Sequence, residues 1–466
     1  MSSPTPTPSP IITGNDALLK YIRQPRYVVP TEEDENTKRR EYLLEKTGKQ
    51  LQTSTRVEKL KLIDTIQRLG IGYYLEDDIN AILEAESTNV LSTKEDLFTT
   101  SLRFRLLRHN GFQITSGSHG IHQSSPPTFT QLPPRLHGQV AQALDLPRHL
   151  RMARLEARRY IEQYATYSDH DPALLELATL DYNKVQAQHQ VELAEITRWW
   201  KQLGLVDKLT FARDRPLECF LWSVGLLPEP KYSTCRIELA KTIAILLVID
   251  DIFDTYGKMD ELVLFTDAIR RWDLDAMETL PEYMKICYMA LYNTTNEVCY
   301  KVLKENGWSV LPYLKSTWID MIEGFMVEAQ WFNGGRAPNL EEYIENGVST
   351  AGAYMALVHL FFLIGEGVTD QNAQLLMNKP YPKLFSAAGR ILRLWDDLGT
   401  AKREKLSDQE ESVNRILEEI YGLWKDLNGE LISKNGMPLA IIKVALNMAE
   451  LPKLCTSMTR TPTFQV

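Results

Sequence analysis

Cysteine is sparse in this chain, and the sparseness excludes one structural class at once. The 466 residues hold 5 cysteines (Cys219, Cys235, Cys287, Cys299 and Cys455), an odd number with no CxxC pair. A disulfide framework or a thiolate zinc site needs clustered thiols, so the pattern fits a reduced compartment. Histidine is also scarce, at 8 residues. His119 and His122 share a Pro/Ser-rich stretch and no other pair has helical ligand spacing, which argues against zinc. Long hydrophobic runs are missing. Thr242–Ile249 and Ala351–Gly365 fall short of the roughly 18 consecutive apolar residues of a membrane-crossing helix, and His359 interrupts the second. Excess positive charge is missing too. Lys and Arg total 52 against 61 Asp and Glu, a net charge of -9, which argues against a nucleic-acid partner. An anionic ligand would have to arrive with metal ions or meet a local arginine cluster. There is no Walker loop, no dinucleotide fingerprint and no Ser-His-Asp signature.

What is present is ordinary globular composition, 44% hydrophobic and 24% charged, in a chain long enough for two or three domains. The opening MSSPTPTPSPIITG has neither a basic n-region nor an apolar core segment, so it does not read as a secretory signal. Its Ser/Thr/Pro content and the lack of arginine before Arg23 favour a disordered terminus on a cytoplasmic protein, with a plastid transit peptide as the alternative. Helical periodicity dominates elsewhere. In Val57–Leu69 the apolar positions are Val57, Leu60, Leu62, Ile63, Ile66 and Leu69, and Gly70 follows as a stop. Similar patterns cover Leu150–Tyr164, Leu174–Leu203, Ile237–Ile249, Met284–Asn306, Leu314–Phe332 and Val413–Leu427. Strand alternation is nearly absent, so the predicted class is all-α. Thr115–Pro134 is too rich in Ser, Gly and Pro for regular helix, and Ser168–Pro172 supplies capping residues before a new helix. The expected organisation is a weakly ordered segment 1–44, an N-terminal helical domain 45–169 and a larger helical domain 170–466.

Three motifs carry chemistry. In KTIAILLVIDDIFDTYG (241–257) an apolar helix runs into Asp250, Asp251 and Asp254, with Asp250 and Asp254 one helical turn apart. Three carboxylates there would repel one another unless a cation sits between them, and hard oxygen donors suit Mg²⁺ or Mn²⁺. The plain alternative is a solvated acidic helix end. In RILRLWDDLGTAKRE (390–404), Asp396, Thr400 and Glu404 follow one helical face as a possible second hard-metal site, with Arg393 one turn back; the plain alternative is an exposed charged helix. In FARDRP (211–216), Arg213 and Arg215 flank Asp214, and guanidinium forks suit phosphate oxygens, although each arginine alone would pass for a surface ion pair. Together the three imply a pocket for a metal-bridged polyanion, naturally a diphosphate. Aromatic rings could stabilise a carbocation there; Trp222, Tyr256, Trp331 and Tyr354 lie near the motifs, but structural packing is the better account of each.

The ordered set RDR (213–215), DDIFDTYG (250–257), RWDLDAMETLPEYMKICY (271–288) and LRLWDDLGTAKRE (392–404) resembles the ionisation-initiated, class I plant terpene synthases from about Glu45 onward. LRFRLLRHNGF (102–112) and LPRHLRMARLEARRYIEQY (146–164) resemble that family's N-terminal domain. The resemblance implies a barrel-like N-terminal helical domain and a C-terminal helical bundle holding the active site. It implies Asp250 and Asp254 as metal ligands supported by Asp251, with Asp396, Thr400 and Glu404 as a second ligand set. Arg213 and Arg393, with Arg215 adjacent, would bind diphosphate. Three Mg²⁺ ions and the arginines would draw diphosphate from geranyl or farnesyl diphosphate, and the allylic cation would be quenched by water or proton loss to a mono- or sesquiterpene. The protein would be a monomer or weak homodimer. Chain-elongating relatives would need a second DDxxD, and protonation-initiated cyclases a DxDD, which this chain lacks.

Arg39 and Arg40 are not followed by the tryptophan seen in many cyclising members, which resembles the group that makes acyclic alcohols such as linalool and nerolidol. Three departures from the family pattern stand out. A helical stretch is missing after Gly117, a loop and helix are missing after Glu404, and the sequence reaches Val466 ahead of the family's usual C-terminal helix. The last two help to cap the site in the family, so the competing expectation is a truncated member that binds metal and diphosphate without turnover.

Overall fold

The structure is a computed structural model, and it describes residues 30–89, 96–114, 151–377, 379–403, 410–433 and 436–458. Among these residues every regular element is helical. The first five helices are α1 (Pro30–Thr53), α2 (Arg56–Arg68), α3 (Glu76–Thr88), α4 (Leu97–His109) and α5 (Ala153–Tyr164). Local signals place their ends. The Glu58 carboxylate accepts from the Thr55 backbone N–H at 2.9 Å to start α2, and Asp96 accepts from the Thr99 N–H at 3.0 Å to start α4. Leu43, Leu51, Leu60, Ile63, Ile66, Leu83 and Leu106 build the core of this half.

The long helix α6 (Pro172–Leu203) opens with an Asp171 cap and a proline in its first turn, and ends at Gly204, whose φ of 62° is left-handed. It belongs to two cores. Leu174, Leu177 and Ala178 pack in the N-terminal core, while Ile196 and Trp200 pack in the next. Between them lies a buried polar seam. Asp181 accepts from the hydroxyls of Tyr73 and, at 3.1 Å, Tyr74, and pairs with Arg154 at 3.3 Å. Glu192 takes a fork of bonds from fully buried Arg236, at 2.8 and 2.6 Å.

The second half comprises α7 (Pro216–Leu226), α8 (Ser233–Asp251), α9 (Met259–Arg271), α10 (Glu282–Asn306), α11 (Leu311–Gly334), α12 (Leu340–Thr350), α13 (Ala353–Ile364), α14 (Asp370–Met377), α15 (Lys383–Arg403), α16 (Glu410–Ile432) and α17 (Leu439–Met458). Two clusters fill it, one centred on α8, α9, α10 and α11, the other on α13, α15, α16 and α17, and Ile243 of α8 packs against both. The stretch Leu340–Ile364 is long and apolar enough to cross a membrane by composition, yet most of it is buried in this bundle, and Gly352 at φ 71° breaks it into α12 and α13. It is core.

Two expected boundaries differ from the fold. Helix α1 runs through position 44/45; Leu43 is 1% exposed, and Arg39 pairs with Glu176 of α6 at 2.7 Å. The charge-rich sequence of α1 hides its short apolar stripe, so its first half carries little periodic signal. The change of core falls inside α6 rather than at 169/170, because one uninterrupted helix serves both halves. The departures expected after Gly117, after Glu404 and near Val466 fall outside the described residues.

Candidate active site

Helix α8 is apolar without interruption from Ile243 to Ile249, and Ala244, Ile245, Leu246, Val248 and Ile249 are buried. Ile243, Leu247 and Asp250 are only partly buried, and they recur at the spacing of a single helical face. That face is therefore partly accessible, with an apolar floor at Ile243 and Leu247 and an acidic mouth at Asp250. At Asp251 the regular helix stops. Ile252–Tyr256 forms a wider π-helical turn, closed by the Gly257 N–H donating to the Ile252 carbonyl at 2.7 Å. Gly257 is required there, since a Cβ would lie 2.8 Å from that carbonyl oxygen and 2.6 Å from Leu262 Cδ2. Asp254 thus sits on a widened turn, not on the regular helix that the sequence spacing suggests.

The arginine segment 209–215 lies across this turn. The Arg213 backbone N–H donates to Asp251 Oδ2 at 2.7 Å, its Nε pairs with Asp251 Oδ1 at 2.7 Å, and its Nη2 contacts Asp250. Burial and the like charge of Asp254 push the Asp250 carboxyl up to about 6, against the opposing pull of Arg213. Burial raises Asp254 as well, while Arg213 and Arg393 act to lower it. Arg215 turns away and pairs with Glu218 at 2.8 Å on the surface.

Sequence reasoning missed Glu328 of α11. Burial raises its carboxyl, and Asp254 adds to the rise. It accepts from Thr350 Oγ1 at 2.9 Å and Asn346 Nδ2 at 3.0 Å. A glutamate next to buried Phe325, Met326 and Ala329 was the available signal.

On α15, Arg393 donates to the Tyr343 hydroxyl at 2.6 Å and contacts Asp397, and its Nη1 stands 3.9 Å from Asp396. Burial opposes the guanidinium charge, but Asp397 and Tyr343 outweigh it and hold Arg393 above its ordinary value. Gly347 makes room for this side chain, because a Cβ there would lie 3.0 Å from Arg393 Cδ. Asp396 is exposed. Thr400 lies on α15, but its side chain, like the whole of Glu404, is outside the described residues. The structure therefore brings Asp250, Asp251, Asp254, Arg213 and Arg393 into one charged cluster, adds Glu328 to it, and leaves Arg215 on the surface.

Among the described residues no three Asp, Glu, His or Cys groups form a closed ligand cage. Magnesium rarely needs one, being held by one or two carboxylates with substrate phosphates and water. The donors here are all hard oxygens, and burial together with the like charge of neighbouring carboxylates raises Asp250 and Asp254. They fit a divalent cation of that kind. Of the aromatics singled out in sequence, Tyr256 stacks on Phe211 at 3.9 Å, Tyr354 stacks on Tyr381 at 3.9 Å, and Trp222 packs partly buried against the core.

Comparison with known proteins agrees with this geometry. The pattern described as "Terpene synthase family, metal binding domain" matches residues 201–425, and "Terpene synthase, N-terminal domain" matches residues 15–121. A chloroplastic geraniol synthase of Ocimum basilicum is 62% identical, over 95% of this chain and 86% of its own length. A chloroplastic R-linalool synthase of the same plant is 58% identical, again over 95% of this chain and 86% of its own. The isoprene synthase of grey poplar (Populus x canescens), solved with three Mg²⁺ ions and dimethylallyl-S-thiolodiphosphate, superposes with a TM-score of 0.83 at 30% identity, over 97% of this chain and 95% of that one. The chloroplastic relatives overturn the cytoplasmic placement expected from the opening residues. Composition misled there because a Ser/Thr/Pro-rich opening without early arginine suits a disordered terminus as well as a targeting segment. The chain belongs to the terpene synthase family, as a carbon–oxygen lyase with a metal-binding domain.

Proposed function

We propose that this protein ionises geranyl diphosphate and quenches the resulting cation to an acyclic monoterpene alcohol in the plastid. The observation that carries the reading is the partly accessible face of α8, which joins an apolar floor at Ile243 and Leu247 to an acidic mouth at Asp250 and Asp254, with Arg213 and Arg393 beside that mouth. An isoprenoid tail suits the floor and a diphosphate suits the mouth. Relatives named geraniol synthase and R-linalool synthase support a ten-carbon substrate and an acyclic alcohol over a farnesyl-derived product. Three Mg²⁺ ions, as in the poplar enzyme, would neutralise the diphosphate oxygens and make the group a better leaving group. Asp250 and Asp254 would supply the first ligands, with Glu328 beside them, and Asp396, Thr400 and Glu404 the second set. Arg213 and Arg393 would hold the departing diphosphate by charge-assisted hydrogen bonds, with Arg215 able to join by leaving Glu218. Asp251 would keep Arg213 in place. The buried walls would keep water from the cation until the chain is positioned.

A second reading has its own support. The alignment with the geraniol synthase spans 499 positions, more than the 466 residues of this chain, so that relative carries residues without a counterpart here. If they belong to the cap of the site, the protein binds metal and diphosphate without turnover. One experiment separates the two. Purified protein is incubated with geranyl or farnesyl diphosphate and Mg²⁺, and the volatiles are analysed. Geraniol or linalool from geranyl diphosphate supports the first reading; folded protein that binds Mg²⁺-pyrophosphate and makes no terpene above the uncatalysed control overturns it in favour of the second.

A further inference from the structure

We propose that Phe211, Tyr256 and Tyr283 form an aromatic clip that fastens the arginine segment to the aspartate turn, with Tyr256 acting as a positioning residue for Arg213. The proposal rests on the reading of the site given above. Phe211 lies two residues before Arg213, and Tyr256 two residues after Asp254. Their rings stack with centroids 3.9 Å apart and planes within 11°. Tyr283 of α10 stands edge-on to both, at 5.0 Å from Tyr256 and 6.1 Å from Phe211, each at 87°. Its hydroxyl donates to Glu261 Oε2 of α9 at 2.8 Å, which anchors the ring. Tyr256 is 53% exposed, so this contact contributes little to the core and is not explained by burial.

The segment is also held on its other flank, where Trp200 Nε1 donates to Asp214 Oδ1 at 2.9 Å. Between the two attachments the Arg213 backbone N–H is bound to Asp251. The main chain around Arg213 is therefore fixed at three points, whereas its guanidinium rests partly on Asp250, which is assigned to the metal, and partly on Asp251. When Asp250 takes another cation, the guanidinium has to exchange that partner. With the main chain clipped, that exchange requires only side-chain rotation, and the arginine meets a diphosphate without first ordering a loop. The two edge-on contacts of Tyr283 are of the geometry in which an aromatic pair contributes about 0.5–1.5 kcal/mol beyond burial, which corresponds to an effect of roughly two- to tenfold.

The test compares full-length wild type with Tyr256→Leu, Tyr256→Phe and Phe211→Leu. Hydrogen exchange of the peptide covering 209–216 is followed in metal-free protein, and inorganic pyrophosphate is titrated calorimetrically in the presence of Mg²⁺. In both Leu variants the Arg213 amide should exchange about two- to tenfold faster and pyrophosphate affinity should fall by a similar factor. Tyr256→Phe should match wild type in both. With geranyl diphosphate the Leu variants should lose more in KM than in kcat. Unchanged exchange and affinity in a Leu variant with native helicity and melting temperature would overturn the clip. A wild type that binds no pyrophosphate would overturn the functional reading instead, while the ligand-free exchange measurement would still decide the clip. Should one Leu variant fail to fold, the other addresses the same stack from the opposite side.

Discussion

Arg213 and Asp251 meet at two points of a single carboxylate, the backbone N–H on Oδ2 and the guanidinium Nε on Oδ1, each at 2.7 Å. The first contact fixes the chain and the second the charge. Asp251→Asn keeps an acceptor for only one of them. Losing a charge-assisted bond of about 1.5–3 kcal/mol should lower kcat/KM for a prenyl diphosphate by roughly 10- to 100-fold, with a small change in melting temperature. Steady-state kinetics beside a thermal melt checks this, and wild-type kinetics would show that the double contact has no part in the site.

The acidic mouth should make metal-free stability depend on pH. Asp250 is pushed up to about 6, from an ordinary carboxylate value near 4. Folded protein then holds more protons than unfolded protein across that window, so stability should fall as pH rises from about 4 to 6, and Mg²⁺ should restore it. Asp250→Asn should reduce the slope, leaving the part due to Asp254 and Glu328, and raise metal-free stability at pH 7 by about 1 kcal/mol, a figure reduced for the partial exposure of the group. Melts at pH 5 and pH 7 with and without Mg²⁺ decide it. Equal stabilisation of wild type and variant by Mg²⁺ would remove Asp250 from the ligand set.

Glu328 offers a separate check on the metal site. Glu328→Gln keeps an oxygen for Thr350 and Asn346 but loses the charge beside Asp254. The Mg²⁺ concentration for half-maximal activity should rise about tenfold, with the fold intact. An unchanged Mg²⁺ requirement would leave Glu328 a purely structural acid.

Gly347 tests the seat of Arg393. An added methyl would meet Arg393 Cδ at 3.0 Å and shift the guanidinium. Gly347→Ala should weaken Mg²⁺-pyrophosphate binding by roughly tenfold, since a displacement of about 1 Å is enough for losses of that order. Calorimetry on folded variant protein gives the answer, and undiminished affinity would mean that Arg393 does not contact the diphosphate.

The seam in α6 makes a prediction about stability alone. Glu192→Ala would strand the Arg236 guanidinium, which is 0% exposed. Breaking one side of such a pair costs about 3–5 kcal/mol, to be read by denaturant unfolding. A loss below about 1 kcal/mol would show that the carbonyls of Leu227 and Glu229, at 2.8 and 2.6 Å, suffice for Arg236.

The helical class and the motifs were legible in sequence because they depend on local pattern. The apolar run before Asp250 and the spacing of Arg213 and Asp214 needed no tertiary knowledge. The widened turn at 252–256 was not legible, since DDIFD reads as ordinary helix and only the close packing at Gly257 shows the extra residue per turn. Glu328, Tyr343 and Gly347 were missed for a different reason. Each reaches the site across a helix–helix contact, and one sequence carries no signal of which faces meet. The first half of α1 carried little signal because charged residues dominate it, and the buried positions Leu43, Thr47 and Leu51 all fall in its second half.

Because α6 carries side chains of both cores on one unbroken rod, melting of either half would disturb the other. Releasing the N-terminal half would strip cover from Leu174, Leu177 and Ala178 and open Asp181 to solvent, while the other end of the same rod still held Ile196 and Trp200. Fraying would have to travel along the helix into the bundle that carries Asp250. A fragment starting after α6 would thus lack a structural member, not an appendage. The expected outcome is coupled unfolding of the two halves, which a single thermal transition followed by probes in each half would check.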